Sequence, residues 1–314
     1  MNGQHLALLA TGGTIAGLSV DEQGGYQAAR LSIAHLLRGL PEPSLPVRAR
    51  QIMSLDSRDI TPSLMLELAE QTEQCLQDPQ VRGVVITHGT DTLEETAFFL
   101  SQVLSADKPV VLTAAMRPAD SLSGDGPMNL WHALLLAQEP LARGVLVALN
   151  DVIYAGREIA KTQASQLAAF TSPWGILGQV EQNAVHFYRQ PLSLPPRFRL
   201  AKLAKLSAWP ETALLYGYAG MPARLLRAVL DSGIQGLVYA APGNGSVAEE
   251  LRPVFERADG ISVVLASRTG GGWVDAHDQR FLSAGWLNPL QARIMLQLGL
   301  ASGLSGSALR QLFA

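Results

Sequence analysis

The sequence predicts an α/β protein, with a larger N-terminal domain built on a doubly wound parallel sheet and a smaller C-terminal α/β domain. Short apolar runs alternate with longer helix-like segments, which is typical of parallel strands joined by crossover helices. Several of these runs are apolar at nearly every position, as expected for strands covered by helices on both faces. The length of 314 residues also exceeds what one ordinary core holds.

The N-terminal domain is predicted to span residues 1–190. Its predicted elements, in chain order, are strand Leu6–Ala10, helix Leu64–Leu76, strand Gly83–Thr87, helix Glu94–Leu104, strand Val110–Ala114 and strand Gly144–Asn150. In open parallel sheets, ligands bind outside the carboxyl ends of the strands. We therefore expect functional residues directly after these strands.

A linker is predicted at residues 191–210, where prolines and basic residues cluster and the hydrophobic periodicity is weak. The C-terminal domain follows at residues 211–314. Its predicted elements are strands Ala213–Tyr216, Gly236–Ala240 and Ser262–Ala266, and helices Pro222–Asp231, Val247–Ala258 and Pro289–Leu300. Two domains of this kind usually leave a cleft between them.

Charge and cysteine content exclude several classes of function. The 24 Lys and Arg residues are balanced by 27 Asp and Glu residues, and no long run of either sign occurs. The chain therefore lacks the cationic surface that binds nucleic acid. Cys75 is the single cysteine, which excludes an intrachain disulfide and a cysteine-rich zinc site, and we expect it to be a buried core thiol.

The hydropathy pattern predicts no membrane association. No apolar run reaches the roughly 20 residues needed to span a bilayer. The run Leu6–Ala10 lacks a preceding basic region and is interpreted as a first strand, not a signal peptide. We expect a cytoplasmic location for the chain as given, or a periplasmic one if a signal peptide was removed.

The first candidate motif, Thr11-Gly12-Gly13-Thr14, directly follows a predicted strand. Glycine would let the backbone approach a ligand closely, and Thr14 would present a hydroxyl at the carboxyl end of the strand. Taken alone, the motif favours an ordinary tight turn. It is no dinucleotide fingerprint, because the G-x-G-x-x-G spacing is absent.

Two further motifs follow the next predicted strands. In the segment 87–96, Asp91 with Glu94, or Thr92 with Glu95, would form a capping box. Alternatively, Thr90 and Asp91 would lie where backbone N–H groups at a helix N-terminus stabilise an oxyanion. The segment 114–129 is rich in Gly, Pro and polar residues and is interpreted as a structured loop. Three polar turns at successive strand ends would converge on one site.

Together, the segments TGGTIAG, THGTDTLEETA and AMRP…SLSGDGPMN resemble the signature regions of bacterial L-asparaginases of the high-affinity type II kind, in the asparaginase/glutaminase family. The resemblance continues through Asn150-Asp151, 156–162, 243–245 and 287–289, and so covers nearly the whole chain. It implies hydrolysis of the side-chain amide of free L-asparagine without metal or organic cofactor. Secondary activity on L-glutamine stays open.

The resemblance also implies catalytic roles for Thr14, Tyr26, Thr90, Asp91 and Lys161. Thr14 would attack the amide carbon and form a β-acyl-enzyme, releasing ammonia before water hydrolyses the acyl group. A threonine hydroxyl needs a neighbouring proton acceptor. Lys161, held near an acidic residue, would take or relay the proton through Thr90. Tyr26, in the glycine-containing lid loop, would contact the nucleophile.

Substrate binding is assigned by the same resemblance to Ser57, Arg58, Gly89, Thr90, Asp91 and Asn244. Asp91 would hold the α-amino group, and Asn244 would reach the site from a neighbouring subunit. Arg58 stands where many relatives carry glutamine. It would either bind the α-carboxylate or point outward as a solvated charge.

A further departure concerns the C-terminal domain. Relatives place a glutamate of the neighbouring subunit beside the lid tyrosine, and the ungapped position here holds Trp273. Either Asp275 substitutes after a shift, or Tyr26 is oriented without an acidic partner. The resemblance implies a homotetramer built from dimers, in which the neighbouring small domain completes each site.

Three other functions compete with this one. A glutaminase-asparaginase or an amidotransferase-associated subunit would share the architecture, although the near-neutral charge disfavours a tRNA-linked substrate. A sensor that binds aspartate or asparagine without turnover would fit Trp273 in place of glutamate. A nucleotide-binding protein rests on the α/β alternation alone, because its phosphate-binding motifs are absent.

Overall fold

The computed structural model describes residues 3–19, 26–27, 30–275 and 278–313. The loop residues 20–25 and the side chain of Tyr26, to which a lid role is assigned above, lie outside the described residues. The chain divides into two compact units, Met1–Leu200 and Ala201–Ala314. This division falls within the predicted linker 191–210, and the domain bounds 1–190 and 211–314 stay predictions.

The N-terminal unit combines a large sheet with helices and short peripheral strands. Its described strands are β1 (His5–Gly12), β2 (Leu18–Ser19), β3 (Tyr26–Gln27), β4 (Val47–Leu55), β5 (Val81–Thr87), β6 (Pro109–Thr113), β7 (Gly144–Leu149), β8 (Val152–Ala155), β9 (Ala160–Lys161), β10 (Phe170–Thr171), β11 (Gly178–Glu181) and β12 (Ala184–Phe187). Its described helices are α1 (Ile33–Leu37), α2 (Pro62–Gln77), α3 (Leu93–Val103) and α4 (Gly126–Gln138).

The large sheet has eight strands in the order β12-β11-β8-β7-β6-β5-β1-β4. The five strands from β7 to β4 run parallel to one another. The remaining three continue the sheet as antiparallel neighbours. The predicted parallel sheet is therefore confirmed, with an antiparallel extension at one edge.

The parallel strands are buried on both faces. Every residue of β1, β6 and β7 is buried, which explains why these strands were apolar runs without alternation. Helix α4 packs against β5, β6 and β7. Its Leu130 and Leu134 share one core cluster with Leu8, Val85 and Val111.

The C-terminal unit is a smaller α/β domain, as predicted. Short helix α5 (Leu200–Leu203) lies at the junction, and the described elements beyond it are β13 (Thr212–Tyr216), α6 (Ala223–Leu230), β14 (Gly236–Ala241), α7 (Arg252–Phe255), β15 (Ser262–Ser267), β16 (Leu282–Ser283), α8 (Pro289–Ala301) and α9 (Gly306–Gln311). Strands β13, β14, β15 and β16 form a parallel sheet in that order. Helix α8 covers β13, β14 and β15.

One predicted helix of this unit is largely wrong. The segment Val247–Ala258 contains only the short helix α7, which begins at Arg252. Pro253 explains the difference, because proline has no N–H and its ring clashes with the carbonyl four residues earlier in a helix. Proline is tolerated in the first turn, and that is where the structure places it.

Two smaller expectations also need correction. The predicted loop 114–129 is helical from Gly126 onward, where α4 begins with Pro127 in its first turn. Cys75 is half-buried and not a core thiol, and burial raises the pKa of its thiol.

Within the described residues, no helix is long and apolar enough to cross a membrane. No group of His, Cys, Asp or Glu side chains among them could hold a metal ion.

Candidate active site

The three predicted motifs lie at one edge of the large sheet. Strands β1, β5 and β6 are consecutive parallel neighbours, so their carboxyl ends lie side by side. The Thr11 hydroxyl donates to the Thr87 carbonyl at 2.8 Å, and the His88 N–H donates to the Thr113 carbonyl at 2.8 Å. On the other side, the Gly13 N–H donates to the Leu55 carbonyl at 3.0 Å. The expected convergence of the strand ends is confirmed.

Gly13 and Gly89 bring the first two motifs into backbone contact. Gly13 has φ 79° and ψ −177°, a conformation that is essentially restricted to glycine. A Cβ added at Gly13 would lie 2.5 Å from the Gly89 nitrogen and 2.6 Å from the His88 oxygen. The residues that directly precede Thr14 and Thr90 therefore touch, and Thr14 itself is buried in a short 3-10 helix.

Ser57 is the third member of this contact. A Cβ added at Gly89 would lie 2.5 Å from Ser57 Oγ. The Ser57 carbonyl accepts the Thr92 hydroxyl at 2.7 Å. Thr92 is the N-cap residue of α3 but makes no side-chain capping bond. The predicted capping box at Asp91–Glu94 or Thr92–Glu95 is therefore wrong, because the Thr92 hydroxyl holds the Ser57 turn against α3 instead.

Arg58 lies beside Ser57 but extends into solvent. Its side chain is 72% exposed and pairs with Asp56 at 3.1 Å. Asp56 also accepts the Arg58 N–H at 3.3 Å, which caps the 3-10 helix Ser57–Asp59. In this arrangement the guanidinium has the geometry of the outward, solvated alternative.

Lys161, Thr90 and Asp91 form the polar cluster of the site. Lys161 Nζ donates to Thr90 Oγ1 at 3.0 Å and to Asp91 Oδ1 at 2.7 Å. The Lys161 side chain is 16% exposed, whereas the Asp91 side chain is 51% exposed. The structure thus brings these three residues together although Lys161 is 70 residues from Asp91 in sequence.

Glu94 is a buried carboxyl that sequence reasoning considered only as a capping residue. It is 8% exposed, in the first turn of α3. Burial raises the pKa of its carboxyl from 4.5 to about 7, while the nearby Lys161 backbone N–H and the Lys161 charge act in the opposite direction. Its helical spacing from Ala97 and Phe98, both buried, was a signal that it faces inward.

His88 is a second buried titratable group that was not singled out. Its side chain is fully buried, with Nδ1 2.8 Å from the Gly89 carbonyl and Nε2 3.0 Å from Thr96 Oγ1. Burial lowers the pKa of the imidazole from 6.5 to about 4. A neutral ring satisfies both contacts if Nδ1 carries the proton and the Thr96 hydroxyl donates to Nε2.

The third motif forms a hydrogen-bonded loop after β6, as predicted for its first part. Asp125 accepts the N–H groups of Met116 and Arg117 at 3.0 Å each. Asn129 donates to the Ala114 carbonyl and to Asp125, both at 2.9 Å. These bonds fix the loop against the carboxyl end of the strand.

The remaining predicted residues belong to the C-terminal unit. Asn244 Oδ1 accepts the Asp275 N–H at 2.9 Å, so these two residues are neighbours. The Trp273 side chain is 46% exposed and packs edge-to-face with Trp286 at 5.5 Å between ring centroids. Trp273 thus takes part in an aromatic pair on the surface of this unit.

Comparison with known proteins matches both parts of the chain. The family model described as "Asparaginase, N-terminal" matches residues 5–193, and "Glutaminase/Asparaginase C-terminal domain" matches residues 212–313. A probable periplasmic L-asparaginase of Haemophilus influenzae is 37% identical, over 98% of this chain and 92% of that protein. L-asparaginase 2 of Escherichia coli is 33% identical, with the same two coverages.

A glutaminase-asparaginase of Pseudomonas fluorescens biotype A is 34% identical, over 98% of this chain and 90% of that protein. The crystal structure of a probable cytoplasmic L-asparaginase from Campylobacter jejuni has a TM-score of 0.91 at 35% identity and covers 99% of each chain. By these matches over both of its units, the chain belongs to the asparaginase family.

Proposed function

We propose that this protein is an L-asparagine amidohydrolase that uses Thr14 as its nucleophile. The observation that carries the proposal is the contact between the Gly13 and Gly89 backbones, which seats Thr14 next to the segment holding Thr90. Thr90 is in turn hydrogen-bonded to Lys161. Nucleophilic acyl transfer requires a proton acceptor for the attacking hydroxyl, and the Lys161–Thr90 pair would supply it.

The reaction has two steps. The Thr14 oxygen bonds to the side-chain amide carbon, its proton passes through Thr90 and Lys161, and the carbon–nitrogen bond breaks as the nitrogen leaves with that proton as ammonia. Water then adds to the β-aspartyl ester and gives up one proton, which passes to the Thr14 oxygen as the ester bond breaks and aspartate leaves. Backbone N–H groups near Thr90, at the start of α3, would stabilise the oxyanion in both steps.

Substrate binding is proposed for Ser57, Gly89, Thr90 and Asp91. Asp91 is half-exposed and so is available to the α-amino group while it pairs with Lys161. Arg58 would bind the α-carboxylate only after leaving Asp56, its partner at 3.1 Å.

Completion of the site by a neighbouring subunit is part of the same proposal. The resemblance supports a homotetramer in which Asn244, in the domain 211–314, reaches the substrate of the neighbour, and in which Tyr26 covers Thr14.

Relatives include proteins named as periplasmic and as cytoplasmic. A cytoplasmic location is proposed for the chain as given, and a periplasmic one if a signal peptide was removed.

Glutamine hydrolysis is a second candidate activity. Relatives named glutaminase-asparaginase are 34% and 33% identical to this chain. Glutamine differs from asparagine by one methylene, and a pocket usually discriminates such a pair by roughly 1–3 kcal/mol. We therefore expect both amides to be cleaved, with asparagine preferred.

The test is ammonia release from asparagine and glutamine by the wild type and by Thr14→Ala. Removal of the nucleophile should lower kcat by roughly 10⁴-fold or more. Thr61→Val is a matched control, because it removes a hydroxyl that caps α2 and costs stability without touching the site. Full turnover by Thr14→Ala would refute the assignment, and saturable binding without turnover by the wild type would favour the sensor alternative.

A further inference from the structure

The third motif, the loop between β6 and α4, has no part in the function proposed above. We propose that Asp120 in this loop is a positioning residue that fixes strand β2 and, through it, the backbone of Tyr26. The proposal rests on the role that the proposed function gives to Tyr26. Asp120 would act through β2 and Tyr26, not on the substrate itself.

Strand β2 begins two residues after the short 3-10 helix that holds Thr14. Its residues Leu18 and Ser19 pair in antiparallel register with Gln27 and Tyr26 of β3. The Tyr26 main chain therefore lies opposite Ser19. Because a two-stranded ribbon is only marginally stable by itself, the position of Tyr26 depends on what holds β2 in place.

Two consecutive residues of the third motif hold this segment. The Asp120 carboxylate accepts the Ser19 N–H at 3.0 Å to Oδ1 and 3.1 Å to Oδ2, and its Oδ1 accepts the Ser19 hydroxyl at 2.9 Å. The Ala119 N–H donates to the Gly17 carbonyl at 3.0 Å. The segment 17–19 is thus bound, through main chain and side chain, to a loop about one hundred residues away in sequence.

The loop that carries Asp120 has hydrogen bonds of its own. The Ser121 N–H donates to the Pro118 carbonyl and the Gly124 N–H to the Ser121 carbonyl, both at 3.1 Å. Asp125 ties the start of the loop, next to β6, to the start of α4, as described above. Because these bonds lie within the loop and do not involve β2, the loop provides a fixed point from which β2 is positioned.

The charge of Asp120 suits this role. Hydrogen bonds to an ionised acceptor are stronger than bonds between neutral groups. The Ser19 N–H, with a smaller effect of the Ser19 hydroxyl, lowers the pKa of the Asp120 carboxyl below its ordinary value, so the carboxyl is ionised at neutral pH. Both side chains are exposed, and their substitution leaves no cavity and no buried polar group without a partner, so the variants should fold.

Two substitutions of Asp120 and one control test the role. Asp120→Ala removes every acceptor of the side chain. Asp120→Asn keeps one carbonyl oxygen, which can replace Oδ1 and accept both Ser19 donors. Asp107→Ala is the matched control, because Asp107 also accepts a serine hydroxyl at the surface, that of Ser193 at 3.0 Å. Asp107 precedes β6, whereas the site follows the carboxyl ends of the strands.

Hydrogen–deuterium exchange followed by mass spectrometry measures the anchor independently of activity. In Asp120→Ala, peptides that contain residues 17–19 should exchange roughly 10-fold faster than in the wild type, because exchange follows the local opening that the lost bonds resist. Peptides from α4 should exchange at the wild-type rate in every variant, and Asp107→Ala should leave both regions unchanged. An unchanged exchange rate of residues 17–19 in Asp120→Ala would overturn the proposal.

We expect Asp120→Ala to lower kcat for asparagine by roughly 3-fold to 30-fold, since only the molecules that keep Tyr26 in place would turn over. KM should stay within about twofold of the wild-type value, because the side chains proposed to bind substrate are unchanged. Asp120→Asn should have a kcat between those of Asp120→Ala and the wild type. Equal kcat values for Asp120→Ala and Asp107→Ala would refute the role of Asp120.

A double-mutant cycle with Tyr26→Phe separates this proposal from the proposed function. If Asp120 acts through Tyr26, adding Asp120→Ala should lower kcat much less in Tyr26→Phe than in the wild type. The same loss in both backgrounds would show that Asp120 does not act through Tyr26. Full activity of Tyr26→Phe would refute the role of Tyr26 and this proposal with it, whereas wild-type kcat in Asp120→Ala beside an impaired Tyr26→Phe would refute the positioning role alone.

Discussion

Two buried groups, His88 directly after β5 and Glu94 in the first turn of α3, should shift folding stability with pH in opposite directions. Burial raises the pKa of Glu94 from 4.5 to about 7, and burial lowers the pKa of His88 from 6.5 to about 4. Each shift corresponds to about 3 kcal/mol in the free energy of unfolding, since one pKa unit is worth about 1.4 kcal/mol.

The sign of each contribution follows from which state binds the proton more tightly. Folded Glu94 binds its proton more tightly than the unfolded chain does, so its contribution is fully present below pH 4.5 and is lost as the pH rises through about 7. Folded His88 binds a proton less tightly, so its contribution is present above pH 6.5 and is lost as the pH falls to about 4. Between pH 6.5 and 4.5 the changes in these two contributions with pH nearly cancel.

Glu94→Gln removes one side of this balance. As the pH falls from above 7 to 4.5, the free energy of unfolding of Glu94→Gln should drop by about 3 kcal/mol relative to the wild type. Urea unfolding followed by circular dichroism at a series of pH values measures this difference, and contributions of all other groups cancel in it. The control Glu95→Gln should follow the wild type much more closely. A stability difference between wild type and Glu94→Gln that does not change with pH would refute the reasoning.

Two further predictions concern the contact of the strand ends and use urea unfolding as the measurement. Gly13→Ala should lower the free energy of unfolding by roughly 2–6 kcal/mol, because it adds backbone strain to a collision with the Gly89 and His88 backbones. The control Gly39→Ala shares a positive φ, but its added Cβ meets nothing within 4 Å. Equal losses of stability in the two variants would contradict the collision. Gly89→Ala should lower the free energy of unfolding, because the added Cβ would lie 2.5 Å from Ser57 Oγ and 2.8 Å from Ser57 Cβ. Adding Ser57→Gly should therefore recover about 1–3 kcal/mol of that stability. Strictly additive effects of the two substitutions would contradict this prediction.

The central strands could be predicted from the sequence because burial on both faces leaves a direct trace. The bounds predicted for β5, β6 and β7 differ from the observed ones by at most two residues at either end. Their adjacency in the sheet then determined that the three motifs would meet. This part of the site follows from hydrophobicity and the geometry of parallel sheets alone.

Strand β4 could not be predicted in this way. It spans Val47–Leu55 at the edge of the sheet, with β1 as its neighbour. Arg48, Ala49, Arg50 and Gln51 are all exposed, so the strand lacks the continuous apolar run of the central strands. An edge strand keeps its place by backbone hydrogen bonds to one neighbour, and these bonds are independent of side-chain identity.

The capping-box prediction failed for a different reason, which also explains why the burial of Glu94 was not predicted. A hydroxyl at Thr92 gains a hydrogen bond worth roughly 0.5–1.5 kcal/mol whether it caps its own helix or donates to a distant carbonyl. The sequence pattern indicates only the bond within the helix, whereas in the structure the Thr92 hydroxyl donates to the Ser57 carbonyl, 35 residues away. Glu94 makes no capping box and is buried in the first turn of α3. Residues that act directly at strand ends are therefore accessible to motif analysis, while residues that hold them in place become visible only when distant segments are brought together.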